Sequence, residues 1–166
     1  MHNIKFALYI FLIATLSSCQ FIYKNEYKDV KNALSDAIEY CNLINNETEE
    51  NIYNSGNFTQ LCSMGGWPVN KETAKFFRAN GAYNHAEMAL AYIDKAINIS
   101  YKINDNELTE KLQTVQSNLR QVSQYASIAR ENYLNYRYNE NIVMVIGCVR
   151  NSITQIESCR RIIDNK

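Results

Sequence analysis

The chain has 166 residues, the size of one domain, and its 17 Lys plus Arg balance 17 Asp plus Glu. Zero net charge argues against a nucleic-acid binder, which gains affinity from a basic excess that displaces counterions. One proline and five glycines are too few for a turn-rich β sandwich or barrel, and 46% apolar residues supply a packed core rather than global disorder.

The first twenty residues read as a targeting segment. Lys5 gives a positive start, and Phe6 to Leu16 (FALYIFLIATL) is an apolar run broken only by Thr15. A bilayer core of about 30 Å needs roughly 20 residues of helix, so the run is too short to span it. It fits the apolar region of a secretory signal. The run closes on Leu16-Ser17-Ser18-Cys19.

Those four residues resemble the lipobox of bacterial lipoproteins, in which an aliphatic residue and two small residues precede a cysteine. The resemblance implies a signal peptide over residues 1–18, cleavage after Ser18, diacylglycerol on the Cys19 sulfur and acylation of the new amino terminus. Each buried methylene contributes about 0.8 kcal/mol, so two or three chains anchor stably where one does not. Gln20 is not the aspartate that such proteins use for inner-membrane retention, so the resemblance implies the outer membrane, facing the periplasm or the cell surface. It covers residues 1–19 and carries nothing about the mature body. The competing reading is a secreted helical protein without lipid, in which the sequons at Asn46, Asn57 and Asn98 are open to glycosylation in a eukaryotic host.

Beyond a short tether at residues 19–25, residues 26–166 have helical spacing. The first mature helix carries Tyr27, Val30, Leu34, Ile38 and Cys41 and is expected to end near Ile44. A long connection, Asn45 to Val69, follows, with Cys62, Gly65-Gly66 and Trp67-Pro68 inside it. The second helix is expected after Pro68, with Asn70 as N-cap. Its seam is Phe76, Ala79, Tyr83, Ala86, Leu90, Ile93 and Ile97. Gly81 lies within it and either permits close helix approach or breaks the helix.

The third helix has the strongest periodicity: Leu108, Leu112, Val115, Leu119, Val122, Ala126, Ala129 and Tyr133 step by four and three. It is predicted over Asn106 to Asn135. The fourth carries Ile142, Val145, Val149, Ile153, Ile156, Cys159 and Ile163. Its stretch IVMVIGCV also reads as a buried strand, but the helical spacing continues to Ile163. The expected fold is all-α: an elongated four-helix bundle with heptad-patterned helices and a long loop between the first two. Short connections near Lys102–Asp105 and Arg137–Asn139 make the last three helices alternate in direction.

Setting Cys19 aside leaves Cys41, Cys62, Cys148 and Cys159. An even number in an exported chain favours two disulfides, with buried free thiols as the alternative. On one straight helix Cys148 and Cys159 lie about 16 Å apart, too far for a bridge unless Gly147 breaks it. The favoured pairing is Cys41–Cys159 with Cys62–Cys148, which makes helix one parallel to helix two. The other, Cys41–Cys148 with Cys62–Cys159, fits a plain up-down bundle.

Chemistry is sparse. His85 is the only histidine beyond the leader and sits at the edge of the second helix's apolar face. There is no Glu-x-x-His, no Cys-x-x-Cys and no phosphate loop, so no catalytic residue, cofactor or metal site is expected. The carboxylates Glu47, Glu49 and Glu50 leave a periplasmic carboxylate-dependent hydrolase as a distant alternative. Tyrosine is abundant, twelve in all, and Tyr133, Tyr136 and Tyr138 with Trp67 are the candidate binding residues. The reading is of a non-enzymatic, lipid-anchored envelope protein that binds another protein, as part of a secretion or surface assembly or as an immunity or exclusion protein.

Overall fold

The computed structural model describes the backbone of residues 2–48 and 71–166, and the side chains of residues 23–48 and 72–166. Four helices account for nearly all of it: α1 (His2–Thr48), α2 (Lys71–Lys102), α3 (Asn106–Glu131) and α4 (Arg137–Asp164), with no strand among the described residues. The expected N-cap Asn70 lies outside the described residues, as do Cys62 and Trp67.

Polar contacts fix the directions. At one end Tyr27 of α1 donates to Asp105 in the α2–α3 turn at 2.8 Å, and Lys31 pairs with Asp164 at the end of α4. At the other end the Arg78 Nε of α2 donates to the Glu47 carbonyl of α1 at 2.7 Å, and Arg130 of α3 reaches Asn80 of α2. The bundle is therefore up-down-up-down. Each helix packs on its two neighbours in a ring, α1 on α2, α2 on α3, α3 on α4 and α4 back on α1.

This corrects the parallel pairing of helices one and two, and the bridges that went with it. Cys41, Cys148 and Cys159 are all free. The Lys31–Asp164 contact sets an antiparallel register that places Cys41 about five residues, roughly 7 Å of rise, from the level of Cys159. Helix axes 8–10 Å apart add to that separation, so Cys41–Cys159 does not form. Cys148 is further along α4 in the opposite direction, so Cys41–Cys148 does not form either. The pairings that involve Cys62 fall outside the described residues. Gly147 leaves α4 unbroken, and Cys148 and Cys159 remain apart.

Helix ends are set by side chains. Asp105 caps α3 by accepting from the Leu108 amide at 3.1 Å, and Asn104 takes the left-handed conformation, φ 54°, that ends α2, a position asparagine tolerates. The third helix stops at Glu131, short of the expected Asn135. Asn132 turns its amide back onto the Ile128 carbonyl at 2.8 Å, and Asn135 accepts from the Arg137 amide at 3.0 Å. Such local bonds compete with helix continuation. The turn thus falls at residues 132–136, and Arg137 already belongs to α4. The first helix runs past Ile44 to Thr48, whose hydroxyl bonds the Ile44 carbonyl at 2.9 Å.

The α3 stripe from Leu108 to Ala129 is fully buried, as are Val30, Leu34, Cys41, Val145, Val149, Ile156 and Cys159. On α2 the innermost positions are Ala82, Ala86, Ala89, Ile93 and Ala96. Tyr83 and Leu90 flank that line instead of forming it. Small side chains on the contact line let helices approach closely. Gly81 sits inside an unbroken α2, and an added Cβ would lie 2.9 Å from the Glu47 carboxyl carbon. Of its two readings, close approach holds. A second cluster, Ala79, Ala129, Tyr138 and Ile142 with Tyr133 and Ile146 around it, closes the end of the bundle where α2, α3 and α4 run past Thr48.

Candidate functional site

The described residues place the candidate tyrosines in two different roles. Tyr138 is 3% exposed, inside the end cluster, with Lys75 Nζ 5.3 Å from its ring centre. Tyr133 packs edge-on against Phe76, centroids 5.6 Å apart. Both close the bundle end. Tyr136 is 71% exposed at the mouth of α4, its hydroxyl beside the Arg137 guanidinium.

Tyr136 is not alone on that surface. Its backbone is already α-helical, φ −61° and ψ −27°, so it lies on the α4 helical wheel. Val143 follows seven residues on, about 10 Å along the axis and nearly in line. Val143 is 65% exposed, Met144 beside it 45%, and Leu134 in the preceding turn 68%. Gly147, one turn further, has open space where a side chain would stand. The core face of α4, through Tyr138, Ile142, Val145 and Val149, points the opposite way. The upper outer face of α4 thus exposes Tyr136, Val143 and Met144 around the exposed Glu140, an apolar cluster with a charged centre, and exposed apolar clusters mark interaction sites.

Sequence reasoning singled out Tyr136 and passed over Leu134, Val143 and Met144. The signal was present. A helix needs only about half the positions of IVMVIGCV for its core, so the uninterrupted apolar run leaves Val143 and Met144 facing outward.

Among the described residues the contacts of His85 are with an aromatic ring and a carboxylate. Its ring lies 6.0 Å from that of Tyr40, and its Nε2 is 3.9 Å from Glu47 Oε1. Burial holds its pKa below the ordinary histidine value, and burial also raises that of Glu47, against the pull of Arg78. These shifts oppose full charging of the pair. Glu49 and Glu50 lie outside the described residues. Among the described residues no three metal-ligating side chains gather, and no helix is long and apolar enough to cross a membrane.

The thiols differ sharply. Burial pushes Cys41 up to about 12 and Cys159 up to about 11. Cys148 is half-buried, also raised by burial, and donates to Gln121 Oε1 at 3.7 Å. A thiol reacts as its thiolate and needs access. At pH 8 in native buffer a maleimide should therefore modify Cys148 well before Cys41 or Cys159, which react only on unfolding. Peptide mapping after timed quenching reads the order, and equal native rates for the three would contradict the burial described here.

The described residues define an all-α, antiparallel four-helix bundle with exposed apolar side chains on the upper outer face of α4. Comparison with models of known protein families, with curated proteins and with solved structures found no match.

Proposed function

We propose that this is a lipid-anchored bacterial envelope protein whose bundle is a non-enzymatic module that binds another protein through the upper outer face of α4. The observation that carries the binding role is the exposed cluster Leu134, Tyr136, Val143 and Met144. A large aromatic with a polar tip, flanked by aliphatic side chains, is the composition of an interface anchor. The anchor rests on Leu16-Ser17-Ser18-Cys19 and its resemblance to the lipobox. It would hold the amino-terminal end of α1 near the bilayer. Tyr136 and Val143 stand at the opposite end of the bundle, so a membrane-tethered chain would present the cluster outward. The proposed location is the outer membrane.

Two measurements test the two halves. Intact mass of the chain from a bacterial host should show cleavage after Ser18 and acyl mass on Cys19; an unmodified Cys19 removes the anchor and leaves a secreted protein. In pull-downs from detergent-solubilised envelopes, Val143→Glu should reduce recovery of the bound protein about 30-fold, a hot-spot loss. Thr114→Glu, on an exposed position of α3, should leave recovery unchanged. Equal recovery with Val143→Glu and Thr114→Glu removes the α4 cluster from the interface.

A further inference from the structure

The opposite end of the bundle holds a cavity of about 840 Å³ lined by Tyr23, Lys24, Tyr27, Lys28 and Lys31 of α1, by Ile103 after α2, and by Ile163, Asp164 and Lys166 at the end of α4. Its size falls in the range of small-molecule sites, about 300–1,000 Å³. Its walls divide by chemistry. Ile103 and Ile163 supply an apolar patch, the rings of Tyr23 and Tyr27 extend it, and four lysines surround it.

The charges do not cancel locally, although they do over the whole chain. Asp164, the one carboxylate on the wall, is taken by Lys31. Asp105 lies behind the wall and is taken by Lys166 and Tyr27. Lys24 and Lys28 stand one helical turn apart on the same face and have no acidic partner among the described residues. Both are exposed, so their ammonium groups are free to meet a ligand at the cavity rim.

We infer that this cavity binds an anionic amphiphile, with a phosphate-bearing head on Lys24 and Lys28 and the start of an apolar chain against Ile103, Ile163 and Tyr27. The chemistry of the cavity carries this inference by itself. That the molecule comes from the bilayer rests on the lipid-anchor reading, because Tyr23 follows Cys19 by one turn of α1, about 6 Å of rise.

The test uses the full chain in a neutral maltoside detergent, with isoleucine methyl groups labelled for NMR. Dihexanoyl phosphatidylglycerol, dihexanoyl phosphatidylcholine and glycerol phosphate are titrated below micelle formation. The anionic lipid should shift the Ile103 and Ile163 methyl signals and leave core Ile156 unmoved. Its binding should be about ten-fold tighter than that of either other probe, and Lys24→Gln with Lys28→Gln should remove that preference. Equal affinity for the two lipids, equal binding of glycerol phosphate, or a preference that survives the double substitution overturns the inference. The same titration on the full chain with Cys19→Ser should give the same result, which separates it from the anchor reading; loss of binding there overturns a site built by the bundle alone. A source in the membrane is read separately from vesicles with and without phosphatidylglycerol. Stronger binding to the anionic vesicles, lost in the lysine variant, marks bilayer lipid as the ligand. Lysine-dependent binding of the short lipid without that preference marks a soluble amphiphile.

Discussion

Asp105→Ala should lower the unfolding free energy by about 3 kcal/mol, the sum of a lost helix cap and lost hydrogen bonds to a buried charge. Its side chain is 4% exposed and joins three parts of the bundle. One oxygen accepts from the Leu108 amide that opens α3. The other accepts from the Tyr27 hydroxyl of α1 and from Lys166 beyond α4. Alanine leaves the Tyr27 hydroxyl and the Leu108 amide without these bonds. For a chain of this size the melting midpoint should fall by roughly 6–12 °C. Burial raises the Asp105 carboxyl, but the bonds from Lys166, the Leu108 amide and Tyr27 outweigh it and hold the carboxyl below its usual 3.8. Folding therefore favours the ionised form. That contribution is complete above pH 3.8 and is lost as pH falls through the lower value in the folded chain. Asp105→Asn keeps a cap acceptor and loses the charge, so its penalty should be smaller than that of alanine and should shrink as pH falls below 3.8. Urea midpoints at pH 7 and pH 3 check both. An alanine variant as stable as the native chain would remove Asp105 as the joint of this end.

The parts of the molecule that could be read from sequence are those where one physical cause acts alone. On α3, large aliphatic residues alternate with glutamine, asparagine and arginine, so burial and periodicity agree and every seam residue from Leu108 to Ala129 is buried. The end of that helix was less legible. Tyr133 continues the apolar period, and the period outweighed the asparagines at 132 and 135, whose side chains bond the backbone and stop the helix. The direction of α1 is hidden from the sequence for another reason. An even cysteine count suggests crosslinks at Cys41 and Cys159, while both are apolar core side chains. A thiol buried among Val, Leu and Ile behaves as a small hydrophobe, and nothing in its spacing distinguishes that from half of a bridge. The binding candidates divided in the same way. Tyr138 and Tyr136 are two residues apart, and burial depends on where α4 begins, a boundary set by Asn135 rather than by the tyrosines themselves.

The α2 seam gives the second large expectation. Ala89→Leu should cost about 3 kcal/mol, the upper end of the usual penalty for overpacking, while Ala91→Leu should stay within about 0.5 kcal/mol of the native chain. The sequence seam, drawn through Tyr83, Ala86, Leu90 and Ile93, leaves both alanines off the contact line, because it follows the larger side chains. In the bundle the contact line is rotated toward the alanines. Ala89 is 0% exposed, and Ala91 is exposed. Two physical demands compete at such positions. Burial of area favours large side chains, and close approach of two backbones favours small ones. Hydrophobic periodicity detects only the first. The two substitutions add the same atoms to the same helix with the same change in helix propensity, so the difference between their urea midpoints reports the different surroundings of the two positions. Equal midpoints would mean that α2 turns its large residues inward and that the alanine line is not the contact. A loss confined to Ala89→Leu would show that the spacing between α2 and its neighbours is set by what those positions lack.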